Sequence, residues 1–147
     1  TYLPRYAFSP RGGTEAAIIK AIGAAGSEIK IAMFTLTSEP IMSALVRASA
    51  RGVNVKLLHN AGSSFPFFQD ALKSRFDLRF SKGRTERGQM HNKFAVLDGR
   101  LLINGAFNWS ATAEDKNAEN TVLIMEPYYV QVYAGEFDRL FAAAKTP

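Results

Sequence analysis

IKIAMFTLTSEPIMSALVRASARGVNVKLL, residues 29–58, decides how this chain folds. Residues 29–36 are apolar apart from Lys30 and Thr35, the composition of a buried strand. Ser38-Glu39-Pro40 follows, a capping hydroxyl, an acid and a proline suited to a first helical turn, so a helix begins there and runs through Ala50. Arg51-Gly52 stops it, and residues 53–58 alternate as a second strand. Strand, helix and strand in this order imply a right-handed crossover between parallel neighbours.

The same pattern extends outward in both directions. Upstream, Tyr6 to Phe8 is a short apolar segment, and the turn at residues 9–13 leads into a helix over residues 14–25 with Ile18, Ile22 and Ala25 at helical spacing. Two strand-helix-strand units therefore stand in a row. Downstream, the pattern predicts a helix over residues 65–75, a short strand at 78–80 and a polar segment at 81–89. A β-hairpin follows, with Lys93–Leu97 and Leu101 to Ile103 joined by the turn pair Asp98-Gly99. A strand at 120–124 and a helix over 127–144, apolar at Val130, Ala134, Phe137 and Phe141, complete the chain. With no repeat or linker visible, the expectation is one α/β domain over residues 1–147, built on a mixed, largely parallel sheet flanked by helices.

A chain of 147 residues can bury one sizeable core but not two of ordinary size. Hydrophobic residues at 47% and charged residues at 21% exclude wholesale disorder. The net charge of +5 and a pI of about 9.6 favour polyanionic partners, nucleic acid or acidic lipid head groups, although many basic proteins bind neither. Without cysteine there is no disulfide and no thiolate metal site. No apolar run approaches the ~18 residues of a membrane span. The chain begins at Thr1 rather than Met, which is expected either if an export signal or anchor has been removed or if the chain was trimmed.

The hairpin carries the chemistry. Side chains two apart share a strand face, so His91 and Lys93 project together, whereas Asp98 has the opposite parity and is assigned to holding the turn. His91, Lys93, Asp98, Gly105 and Asn108 form the pattern H-x-K-x4-D-x6-G-x2-N. This is similar to the motif of the phospholipase D superfamily. The stretch at 29–58 and KNAENTVLI at 116–124 resemble the small Nuc-type endonucleases of that superfamily, and the hairpin also resembles the mitochondrial phospholipase D-like (Zucchini) nucleases.

The resemblance implies the phospholipase D/nuclease fold and, because only one motif copy is present, a homodimer that shares one site on its two-fold axis. It further implies that one His91 attacks phosphorus to give a phosphohistidine while the His91 of the second copy protonates the leaving oxygen. Lys93 would neutralise the non-bridging oxygens, Asn108 would donate to them, and Glu119 would hydrogen-bond the catalytic His. No metal and no cofactor are implied. Where the family usually has Ser after the motif Gly, this chain has Ala106, so one hydroxyl donor is missing; backbone N–H groups near Gly105 offer a substitute. A removed signal would place the protein in a periplasm or outside the cell, a trimmed anchor at the mitochondrial outer membrane.

Each candidate also has a plain reading. His91 could be a packed strand histidine, Lys93 a surface lysine, Glu119 an exposed acid, and Asp98-Gly99 turn chemistry alone. His59, at a strand end, is either a cleft residue or a solvated loop histidine. Arg79, Lys82, Arg84 and Arg87 are candidate phosphate contacts or a solvated loop. Phe65, Phe67 and Phe68 stack bases or pack on the sheet, and Trp109 is core or cleft wall. The function expected is a metal-independent phosphodiesterase, foremost a non-specific endonuclease on DNA or RNA; the alternatives are a phospholipid hydrolase acting on a lipid such as cardiolipin, or a weakly active nucleic-acid-binding dimer.

Overall fold

The computed structural model describes residues 2–147. Its strands are β1 (Tyr6–Ser9), β2 (Glu28–Met33), β3 (Asn54–Asn60), β4 (Asp77–Ser81), β5 (Lys93–Leu97), β6 (Leu101–Gly105) and β7 (Glu119–Ile124). The helices are α1 (Thr14–Ala24), α2 (Glu39–Ala50), α3 (Phe68–Lys73), α4 (Ala111–Asp115) and α5 (Pro127–Ala143). All seven strands join one sheet in the order β1-β7-β6-β5-β2-β3-β4.

The sheet is mixed and helix-flanked, as the sequence implies, but less parallel in its pairing than expected. The strands β1, β6, β2, β3 and β4 run one way and β5 and β7 the other. Because the two reversed strands are interleaved among the others, only β2–β3 and β3–β4 pair in parallel. The crossover at 29–58 is the expected parallel unit. The upstream unit is not: β1 lies at the far edge, antiparallel to β7, with three strands between it and β2.

Local chemistry explains the element ends. The Ser38 hydroxyl accepts the Ile41 N–H at 3.3 Å, capping α2, whose Pro40 sits in the first turn. Asp98 and Gly99 have φ of 56° and 62°, the paired left-handed conformation of a tight turn, which the Arg100 N–H closes on the Leu97 carbonyl at 3.0 Å. Helix α3 is shorter than expected, starting only at Phe68, because Pro66 keeps the residue before it out of helical conformation. Helix α4 was not anticipated; Ser110 caps it by accepting the Ala113 N–H at 3.2 Å.

Two apolar layers sandwich the sheet. On one face Ile18, Ile22, Ile41 and Leu45 of α1 and α2 pack on Ile29, Ile31, Leu57, Ala95 and Ile103. On the other, Val130, Phe137 and Leu140 of α5 cover Ala32, Phe94, Val96 and Leu102. Burying a side chain such as Phe137 contributes roughly 1.5–3 kcal/mol, so α5 holds the second face by apolar area.

Candidate active site

Strand register gathers the candidate residues at one end of the sheet. Met33 faces Lys93 across β2–β5, Gly105 faces Thr121 across β6–β7, and Ser9 faces Glu119 across β7–β1. The start of β5, the end of β6 and the start of β7 therefore meet there. His91 lies two residues before β5, exposed, and its ring packs against Phe34 at a centroid distance of 4.5 Å. Its neighbours are pinned on both sides: the Met90 N–H donates to Asn60 Oδ1 at 2.9 Å, and the Asn92 carbonyl accepts the Phe34 N–H at 3.0 Å.

Lys93 Nζ stands 3.1 Å from His91 Nδ1 and 5.4 Å from the centre of the Phe34 ring. Nζ is also 3.5 Å from Nε2, so the ammonium lies alongside the imidazole and not in line with one nitrogen. Burial pulls the Lys93 pKa down and the Glu119 charge acts against that, leaving it below the ordinary lysine value. Glu119 does not hydrogen-bond His91 within this chain, as the resemblance implied; its carboxylate accepts from Asn117 Nδ2 at 3.1 Å. Its influence on the site is through charge on Lys93.

Asn108 Oδ1 accepts the Thr35 N–H at 3.2 Å, which fixes the amide flip and leaves its NH₂ to donate elsewhere. Gly105 is demanded by close approach, since a Cβ there would sit 2.1 Å from the Asn120 carbonyl oxygen. The Ala106 N–H is not free to replace the missing hydroxyl, because it is committed to the Asn120 carbonyl at 3.0 Å. Asp98 accepts from the N–H groups of Gly26, Ser27 and Glu28 and from the Ser27 hydroxyl, tying the hairpin turn to the start of β2. Burial pushes its carboxyl up, but the donors of Glu28, Gly26 and Ser27 outweigh it and hold the pKa at about 2.

The four basic candidates separate. Arg79 is engaged elsewhere: Nη1 donates to the Phe141 carbonyl at 2.8 Å and the guanidinium lies 4.0 Å from the Phe141 ring centre, fastening β4 to α5. Lys82, Arg84 and Arg87 are exposed on the loop before His91. Arg84 reaches α5, where Glu136 accepts at 2.6 and 2.8 Å; Arg139 donates to the same carboxylate at 3.0 Å. A cleft of about 520 Å³ lies between this loop and α5, with Arg84, His91 and Glu136 in its wall.

His59 fits neither of its two readings. It is fully buried, with its ring against Phe65 and Phe80 at 4.9 and 6.3 Å. Trp109 is core, 2% exposed, and Phe65, Phe67 and Phe68 are partly buried against the core. Among the described residues no three His, Asp or Glu side chains are grouped as a metal site would need. Sequence reading missed Phe34 and Asn92, whose contribution is a ring face and a carbonyl; no residue-type signal marks either.

Comparison with known proteins bears on the family and the fold. Residues 18–141 match the family described as cardiolipin synthase, PLD-like domain. A mitochondrial cardiolipin hydrolase from Chlamydomonas reinhardtii is 31% identical over 126 residues, 82% of this chain and 54% of the relative. A phospholipase D from Rickettsia conorii is 30% identical, covering 86% of this chain and 63% of the relative. This chain thus spans about half the length of the cardiolipin hydrolase and under two thirds of the Rickettsia protein. Among solved structures, Nuc from Salmonella typhimurium, a phospholipase D family member, superposes with a TM-score of 0.84 at 27% identity, covering 95% of this chain and 94% of that one.

Proposed function

The chain belongs to the phospholipase D-like family that its residues 18–141 match, and from that premise we propose that it is a metal-independent phosphodiesterase cleaving DNA or RNA with little base preference. The observation that carries this reading is the exposed His91 imidazole beside the Lys93 ammonium, 3.1 Å away. That pair unites a nucleophile with the charge its transition state needs.

In the proposed reaction two copies of the chain bring their His91 rings to one scissile phosphate. One imidazole nitrogen attacks phosphorus, the P–O bond to the leaving oxygen breaks, and the second imidazolium protonates that oxygen. Water then attacks the phosphohistidine, giving its proton to the second imidazole and restoring the first. An imidazole suits both tasks, because one ring can attack phosphorus while the other passes a proton. Lys93 offsets charge on the non-bridging oxygens, supported by the nearby carboxylate of Glu119. The free NH₂ of Asn108 donates to the same oxygens. Lys82, Arg84 and Arg87 follow the flanking backbone, which predicts steep salt dependence.

A second reading, hydrolysis of a phospholipid, is favoured by the relatives named mitochondrial cardiolipin hydrolase. Those names equally favour a mitochondrial placement over a periplasmic one. No helix among the described residues is long and apolar enough to cross a membrane. The two substrate classes are separated by incubating the protein in EDTA with single- and double-stranded DNA and RNA, and with cardiolipin vesicles. The expected result is nucleic-acid cleavage that His91→Ala abolishes. Intact nucleic acid with consumed lipid establishes the second reading, and cleavage unaffected by His91→Ala removes both.

A further inference from the structure

The connection between β2 and α2 has an unusual set of partners. The N–H of Phe34 donates to the Asn92 carbonyl (3.0 Å), that of Thr35 to Asn108 Oδ1 (3.2 Å) and that of Leu36 to His59 Nε2 (3.1 Å), while those of Thr37 and Ser38 both reach the Trp109 carbonyl at 2.9 Å. Four of these five consecutive donors hold the segments that flank His91 and contain Asn108. The remaining one ends on a fully buried ring that has no part in the proposed chemistry.

His59 can accept from Leu36 in only one state. Its Nδ1 lies 2.9 Å from the Asn60 carbonyl, which only accepts, so Nδ1 carries the proton and Nε2 the lone pair. Burial lowers the imidazole pKa, against the opposing effect of the Asn60 carbonyl, and keeps this neutral form populated. A second proton on Nε2 would set one donor against another. Leaving the buried Leu36 N–H unpaired is unfavourable in any environment from which water is excluded.

We propose that His59 is a positioning residue for the phosphate-binding amide of Asn108: by accepting the Leu36 N–H it fixes residues 34–38, and through the adjoining Thr35 N–H it fixes Asn108. The inference rests on the phosphodiester reading above for the role of Asn108, and on the hydrogen-bond geometry alone for the coupling. His59→Leu removes the acceptor, whereas His59→Gln retains one through its amide oxygen.

The test pairs kinetics on bis(4-nitrophenyl) phosphate with amide hydrogen exchange and melting temperature. Expected are a fall in kcat of about tenfold for His59→Leu with KM little changed, and recovery of most of that loss in His59→Gln. In an Asn108→Ala background His59→Leu costs less than about twofold, because the group it positions is already gone. Equal losses with and without Asn108 overturn the proposal, as does a His59→Gln variant no better than His59→Leu. Exchange gives a readout free of activity: the amides of Thr35 and Leu36 should exchange faster in His59→Leu than amides elsewhere in the sheet. Unchanged exchange there, or uniform acceleration over the whole chain, overturns it too. An inactive wild type whose residues 35 and 36 loosen selectively in the variant sinks the phosphodiester reading and leaves the coupling standing.

Discussion

Asp98 and His91 belong to one motif yet have opposite settings: Asp98 is held by four hydrogen bonds at the hairpin turn, and His91 is exposed ahead of β5. Asp98 is held at about 2 against an ordinary 3.8, so its folded value is depressed. Its stabilising contribution is complete above the unfolded value and disappears as pH falls through the folded one. The melting temperature of the wild type should therefore drop more steeply between about pH 4 and pH 2 than that of Asp98→Asn; parallel slopes would contradict the assignment. At neutral pH Asp98→Ala, which strips the acceptor from three backbone N–H groups, should cost about 1–3 kcal/mol by urea denaturation. The motif spacing placed both residues because His91, Lys93 and Asp98 lie within one hairpin, where side-chain parity is a local property. It could not place the partner of Glu119 or the setting of His59. The first is Asn117, two residues upstream, whose amide donates to the carboxylate, and the second depends on β3 running on to Asn60 beneath Phe65 and Phe80.

Elements were legible where their ends are written in local chemistry. Ser38 and Pro40 mark α2, and Asp98-Gly99 marks the turn between β5 and β6. Strand partners were less legible: nothing near Tyr6 says that β1 crosses to the far edge to pair with β7. Two predictions concern how elements touch. A methyl at Gly105 would meet the Asn120 carbonyl, so Gly105→Ala must push β6 and β7 apart. A loss of about 1–3 kcal/mol in urea denaturation is expected, with reduced turnover because Glu119 opens β7; an unchanged midpoint would show that the strands yield freely. The loop before β5 is tied to α5 by Arg84 on Glu136, an exposed pair that contributes little to stability. Glu136→Gln should free Arg84 and lower KM for an oligonucleotide, while Arg84→Gln raises it and steepness against salt declines. Turnover of a small diester should follow neither change. Equal effects on both substrates would remove Arg84 from the path of the polymer.

For the molecule as a whole, the sheet brings one His91, one Lys93 and one Asn108 to one end, which is half of what the proposed reaction uses. In that proposal a second copy related by a two-fold axis completes the site, so that the same residues meet themselves. The most direct measurement is phosphodiester turnover by chains refolded together from equal amounts of wild type and His91→Ala, at constant total protein. If both rings serve one phosphate, only dimers with two wild-type chains work, and activity falls to about one quarter of the all-wild-type sample. Activity of about one half, falling in proportion to the wild-type fraction, would mean that each chain acts alone and would contradict the shared site.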